Sequence, residues 1–374
     1  MTKEVQDILL PSLHQEPQDV CYQVVIFDLT KTSDSKSLSK LLKSDTSISV
    51  FDKINSQFEE LIRLRNPSIT YSKKEIDAET NKILGGLPVT KYGNWVFYPW
   101  SKRLVHILPK EEFIEVRTNR NHNKISQQGV ELLATKKIGI VGLSVGKAIA
   151  NTIATERICG EIVLADFDTL ELSNLNRIQT SVHNLGLKKT IIAAREIAEI
   201  DPYIKVSCIS KGITEQNISN FFLDNGKLDI CIEVCDDIEK KVTIREHAKE
   251  YGIPVVMDTN DRGMMDIERF DMDQSSSIFH GLLDHLDLSN ISNLKSSQEK
   301  LPFVDAIIDF SSVSDGLKKS LPEIGKSIST WPQLASSVSL GAALTCNVCR
   351  RILLGKSITS GRYYVDIESI IKES

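Results

Sequence analysis

An apolar run, Ile138-Gly139-Ile140-Val141, breaks into Gly142-Leu143-Ser144-Val145-Gly146 and resumes as Lys147-Ala148-Ile149-Ala150-Asn151-Thr152-Ile153-Ala154. The pattern is strand, glycine turn, helix. Gly142 lets the backbone turn tightly, Gly146 lets the helix begin close to the strand, and the free N–H groups at the helix start face an anion, a layout that cradles phosphate. The full dinucleotide spacing G-x-G-x-x-G is missing, and Ser144 occupies a position where a glycine is common. A second apolar strand, Ile162-Val163-Leu164-Ala165, ends in Asp166-Phe167-Asp168. A carboxylate at that strand end, about 20 residues after the glycine turn, can accept hydrogen bonds from ribose hydroxyls.

Further along come Ser173-Asn174-Leu175-Asn176-Arg177 and then Gly186-Leu187-Lys188-Lys189, which opens another helix. Lys188 and Lys189 compete for one role, because successive helix positions point about 100° apart and only one can face a site. Apolar strands follow at 204–209 and 228–234 with a helix over 215–224 between them, and the second strand ends in Cys235-Asp236-Asp237. One of those aspartates is expected to cap the helix over 238–251. A strand at 253–257 then leads to Asp258-Thr259-Asn260-Asp261-Arg262-Gly263. In an open parallel sheet these strand ends share one rim, and ligands bind there.

Glycine turn, Asp-x-Asp strand end, Asn-Leu-Asn-Arg and Gly-x-x-Lys, in this order and at these intervals, resemble the ThiF/MoeB-like adenylating enzymes, relatives of ubiquitin-activating enzymes. The resemblance implies a doubly wound, Rossmann-like α/β fold with a mostly parallel sheet and ATP-dependent adenylation of a carboxylate. The carboxylate oxygen attacks the α-phosphorus and pyrophosphate leaves, so positioning and charge neutralisation do most of the work. Gly142, Ser144 and Gly146 would cradle the nucleotide and Asp166 would hold the ribose, with Asp168 in support. Asn174 and Arg177 would contact phosphates, Lys189 would stabilise the transferring group, and Asp236 would bind Mg²⁺. Arg117 and Arg120 resemble the family's Arg-x-x-Arg pair, with Asn121 where glutamine is usual; in dimeric members the second arginine crosses to the neighbouring subunit's nucleotide. A homodimer is therefore expected, with a carboxylate substrate that could be the C-terminus of a small carrier protein or peptide.

Composition agrees with this and removes other classes. The 374 residues carry a formal net charge of -5, which argues against a general nucleic-acid surface. The N-terminus is polar and no apolar run reaches membrane-spanning length. Seven cysteines scattered through the chain are expected to be reduced thiols in the cytoplasm. Cys346-Asn347-Val348-Cys349 sits in an apolar helix and supplies two of the four ligands that zinc needs, so no structural zinc is expected and both thiols should pack in the core. No cysteine lies between Cys235 and Cys346, where thioester-forming relatives often place their nucleophile.

Residues 1–112 read as a small α/β extension, and 113–374 as the adenylating domain. In the extension, 20–27 has a strand pattern, 33–45 a Ser/Lys-rich helical one, and 51–62 an amphipathic one. Residues 93–100 and 104–108 read as a hairpin whose aromatics Trp95, Phe97, Tyr98 and Trp100 are expected to be core or interface. Within the domain, 284–300 is polar and reads as a flexible crossover. Arg262 to Phe270 and Phe279 to Leu283 resemble a bacterial branch in which a ThiF-like domain is joined to a nitroreductase-like one. Ending at Ser374, the chain has no room for a flavin domain, so it would be a stand-alone relative or a fragment. Two other readings remain: an NAD-dependent oxidoreductase, which would share the glycine turn and Asp166, and a non-catalytic nucleotide-binding scaffold. A dehydratase that adenylates an RNA-borne carboxylate is a third.

Overall fold

In the computed structural model, residues 20–294 and 296–371 are described. Two sheets organise them. The larger has seven strands in the order β11-β10-β9-β8-β5-β6-β7. Here β5 is Lys137–Val141, β6 Glu161–Ala165, β7 Lys205–Ile209, β8 Ile230–Glu233, β9 Val255–Asp258, β10 Met264–Glu268 and β11 Gly361–Tyr364. β9, β8, β5, β6 and β7 run parallel, while β10 and β11 are added antiparallel at one edge. The chain leaves β5 for β6 on one side and returns to β8 on the other, so the topological switch point lies at the carboxyl end of β5.

Alternation along the central strands builds a core on each face. Ile138, Ile140, Ile162, Leu164, Ile230 and Ile232 join one buried cluster with the Gly146–Glu156 and Ala335–Leu353 helices. Val141, Val163, Ala165 and Cys231 join the other, with Phe221, Phe222, Val242 and Ile244. Gly139 belongs to this second face: a Cβ there would lie 2.4 Å from Leu228 and 2.6 Å from Phe221. Cys346 and Cys349 are fully buried in the first cluster, so the pair is packing material, as its apolar surroundings predict.

The smaller sheet, ordered β1-β3-β4-β2, comprises β1 Val25–Phe27, β2 Ser49–Asp52, β3 Asn94–Tyr98 and β4 Arg103–Ile107. The hairpin and the Thr32–Ser44 helix lie where their patterns placed them, whereas the helix read over 51–62 runs Ile54–Arg65, because Phe51 and Asp52 pair with β4 as the end of β2. The strand read over 20–27 shortens to Val25–Phe27, the three residues that find partners on β3. Trp95, Phe97 and Tyr98 are buried, and Trp95 stacks on His106 with ring centroids 4.2 Å apart. Asn94 Nδ2 donates to Tyr203 Oη and Trp100 Nε1 to Glu199, fastening this sheet to the end of the Lys189–Ile200 helix.

The segment read as a flexible crossover is partly helical. A 3-10 turn spans Leu288–Asn293, and the Ser297–Ile308 helix begins inside the polar stretch. Ser296 and Glu299 form a capping box there, which supplies partners for helix-start N–H groups despite the polar composition. No helix among the described residues is long and apolar enough to cross a membrane.

Candidate nucleotide site

The carboxyl ends of β5, β6 and β8 converge on a cleft of about 370 Å³ lined by Gly142, Ser144, Asp166, Asp168, Asp236 and Lys240, among others. Gly142 has φ +88°, and a Cβ on it would lie 2.7 Å from the Val234 carbonyl, so the turn needs glycine on both counts. Gly146 begins the Gly146–Glu156 helix against Ile140 and Val234, at 3.0 and 3.2 Å from where its Cβ would be. The helix start thus seats on the strand end.

Asp166 holds this geometry together. Its Oδ2 accepts the Leu143 N–H at 2.6 Å and its Oδ1 the Asp168 N–H at 2.7 Å. Burial pushes its pKa up, against the two backbone donors and nearby Lys189, which pull it down. One carboxylate therefore braces the glycine turn and the Asp-x-Asp bend while lining the cleft.

Lys189 is buried, with Nζ 2.8 Å from Asp168 Oδ2 and 3.2 Å from Ser144 Oγ. Lys188 turns the other way and donates to the Phe167 carbonyl at 2.5 Å. Arg177 lies near enough to Asp236 to feel its charge; burial lowers the guanidinium pKa and Asp236 opposes that. Its Nε is buried without a partner, while Nη1 donates to Asn176 Oδ1 at 2.9 Å. Asp237, not Asp236, caps the Ile238–Glu250 helix, accepting the Lys240 N–H. Asp236 is left exposed on the cleft wall.

Two residues stand elsewhere. Asn174 is buried inside its own turn, where Oδ1 accepts the Glu171 N–H at 3.1 Å, and it does not line the cleft. Arg120 is exposed in the 3-10 turn Asn119–Asn121. That turn is tied to the far end of the Gly146–Glu156 helix: Asn121 Nδ2 donates to the Glu156 carbonyl, and Arg117 Nη2 to those of Ala154 and Thr155. At 1.5 Å rise per residue, such a helix puts Arg120 about 16 Å from its own glycine turn. Arg117 is occupied as a helix C-terminal partner, and Arg120 does not line the cleft.

Sequence reading missed Lys240, which brings a cation to the cleft wall from the first turn of its helix. It also missed Phe167, Gly212 and Ile213, an apolar end suited to a base. An exposed Phe between two aspartates was the available signal. Cys235 also lines the cleft, but burial and the Glu233 carboxylate push its thiol well above the ordinary range, which disfavours the thiolate a nucleophile needs.

Residues 117–279 match the ThiF family model. The matched segment contains β5 to β10 and every cleft residue named above. The chain is 42% identical over 277 residues to uncharacterized protein MT1398 of Mycobacterium tuberculosis, covering 74% of this chain and 38% of that protein. It is 30% identical over 148 residues to tRNA threonylcarbamoyladenosine dehydratase 2 of Saccharomyces cerevisiae, covering 39% of this chain and 33% of that one. The chain thus spans well under half the length of both relatives. Among solved structures, the Escherichia coli tRNA N6-threonylcarbamoyladenosine dehydratase in complex with ATP superposes with a TM-score of 0.46 at 18% identity, over 64% of this chain and 95% of that one.

Proposed function

We propose that the matched segment binds ATP in the switch-point cleft and adenylates a carboxylate. A carboxylate oxygen forms a bond to the α-phosphorus, the bond from that phosphorus to the bridging oxygen breaks, and pyrophosphate leaves. What supports this is that Asp236 lines the cleft beside the glycine turn braced by Asp166, while Lys189 touches the lining residues Ser144 and Asp168 from behind the wall and Arg177 lies close enough to Asp236 to feel its charge. A hydride-transfer site would need the turn and Asp166 alone and leaves the other three unexplained. Lys189, released from Asp168, and Arg177 offset charge at the phosphates. Asp236 fits Mg²⁺, which commonly takes one or two protein carboxylates together with phosphate oxygens and would neutralise further charge there.

The same reading takes the assembly as a homodimer in which Arg120 reaches the partner copy's nucleotide, and the acid as a small molecule, peptide or carrier-protein terminus in the cytoplasm. It retains kinship with the branch paired with a nitroreductase-like domain, and the division into 1–112 and 113–374. The likeness to a tRNA dehydratase favours a second reading, in which the acid is carried on RNA; the net charge of -5 weighs against it. ATP–pyrophosphate exchange against a panel of free acids, peptides, Gly-Gly-ended proteins and tRNA tests the proposal. Exchange with none of them, together with equally weak ATP binding by the wild type and Lys189→Ala, would replace it with a non-catalytic scaffold.

A further inference from the structure

A second pocket, of about 150 Å³, opens beside the nucleotide cleft and shares Asp236 with it. Its walls are mostly apolar: Ile307 and Ile308 from the Ser297–Ile308 helix, Leu317, and Trp331. These walls are fixed by polar ties. Asp261 accepts the Ser314 N–H and hydroxyl at 2.9 and 2.6 Å, and Asn176 Nδ2 donates to the Gln333 carbonyl at 2.9 Å. The second tie comes from the same turn that carries Arg177, so the pocket and the phosphate end of the cleft share a frame.

Among the described residues of this wall, Asn260 is the polar side chain that is buried without a partner. It is 8% exposed, and both its Nδ2 and Oδ1 are buried without a hydrogen-bond partner. Burying an amide in that condition costs free energy, and natural structures rarely tolerate it without a reason. Its φ of +59° explains why an asparagine is tolerated in the turn, but not why the side chain is turned inward. An asparagine amide offers one donor group and one acceptor, the complement of a peptide group.

The geometry points to an acyl pocket: it receives the terminal residue of a peptide-like acid with an apolar side chain, the side chain against Ile307 and Trp331 and the adjoining amide paired with Asn260. The carboxylate then emerges beside Asp236, at the phosphates. This rests on the adenylation reading and narrows it, because a Gly-Gly tail has no side chain to fill these walls.

The test uses the full chain, wild type and Asn260→Gly, which keeps the left-handed turn and removes the amide. N-Acetyl-leucine, N-acetylglycine and 4-methylpentanoate, which keeps the leucine side chain but lacks the amide, are compared in pyrophosphate exchange and in calorimetric binding. The expected result is that wild type prefers N-acetyl-leucine to N-acetylglycine at least tenfold. Asn260→Gly should lose about tenfold in kcat/KM on N-acetyl-leucine while 4-methylpentanoate and ATP affinity stay unchanged. Equal use of the two acetylated acids, or equal loss on both leucine-shaped acids, would overturn the pocket assignment. Tight N-acetyl-leucine binding that is sensitive to Asn260, without exchange, would uphold the pocket and overturn the adenylation reading. Absence of both binding and exchange overturns both.

Discussion

Lys189 Nζ stands 2.8 Å from Asp168 Oδ2, a buried ammonium paired with a carboxylate that is about half exposed. The pair gives the buried lysine a charged partner on the cleft wall, which offsets the cost of burying it. Ser144 Oγ at 3.2 Å completes the cradle. Lys189→Ala is expected to lower the exchange rate about 100-fold, the scale found when one preorganised donor to a developing charge is removed. Asp168→Asn should cost far less, because it removes the lysine's resting partner and leaves the cation in place. Initial-rate measurements on both variants decide this. A Lys189→Ala enzyme as fast as the wild type would remove the lysine from the reaction.

Gly142→Ala is predicted to abolish nucleotide binding and lower the melting temperature. The residue sits at φ +88°, and the added methyl would fall 2.7 Å from a main-chain carbonyl oxygen that cannot move without displacing the end of β8. Left-handed strain in a non-glycine residue alone costs about 1–3 kcal/mol. Ser144→Gly, by contrast, loses one hydroxyl contact to Lys189 and should leave the fold untouched. Thermal denaturation with and without ATP separates the two: the first variant should show a lower midpoint with no ATP-dependent rise, and the second a near-normal midpoint that still rises.

Asp258 gives a pH signature. It ends β9 with 4% exposure, Oδ2 unpartnered, and burial raises its pKa to about 6 from an ordinary 3.8. The folded protein therefore binds this proton more tightly than the unfolded chain does. The associated stability is fully present below about pH 4 and is lost as pH rises through 6, a change of about 3 kcal/mol. Asp258→Asn keeps an acceptor for the Asn260 N–H, now 3.0 Å away, and removes the charge. It should be the more stable protein at pH 7.5 and lack this fall between pH 4 and 6.5. Urea denaturation across that range, wild type against variant, measures the difference. Parallel curves would show that Asp258 is not the group responsible.

Much of the central sheet could be read directly, because its strands are short apolar runs bounded by glycine and aspartate. Gly142, Ser144, Asp166, Asp168 and Asp236 line one cleft, and it took the strand ends together with the family resemblance to bring them together from the sequence. What escaped depended on contacts between distant segments. Arg117 looks like half of an arginine pair until the end of the Gly146–Glu156 helix is seen against it. Asn174 looks like a phosphate ligand until its side chain is found closing the turn on Glu171. Asn260 carries no local signal beyond its place in a polar turn, and its meaning comes from apolar walls that lie some 45 to 70 residues further along. The capping box at Ser296 and Glu299 was legible, but the polar composition around it favoured a loop reading.

The rim itself rests on buried charges. Glu233 is fully buried at the end of β8, with Lys241 Nζ 3.1 Å and Arg245 Nη1 2.7 Å away. Burial opposes its ionisation, but those two cations overcome this and hold its pKa below the ordinary value. Glu233 Oε1 also accepts the Cys235 N–H at 2.9 Å, which fixes the backbone that presents Asp236. Arg245, itself fully buried, reaches on to Glu268 and lies over the Phe279 ring at 3.8 Å, joining β8 to β10 and to the turn beyond it. Removing this guanidinium would leave two buried carboxylates short of a partner. Arg245→Ala is therefore expected to destabilise the fold by about 3–5 kcal/mol. Arg245→Met should recover part of the lost packing but not the charge. If Arg245 also positions Asp236, the methionine variant should need more Mg²⁺ for half-maximal exchange even below its melting temperature, whereas a purely structural role would lower the midpoint and leave the Mg²⁺ dependence of the folded fraction unchanged.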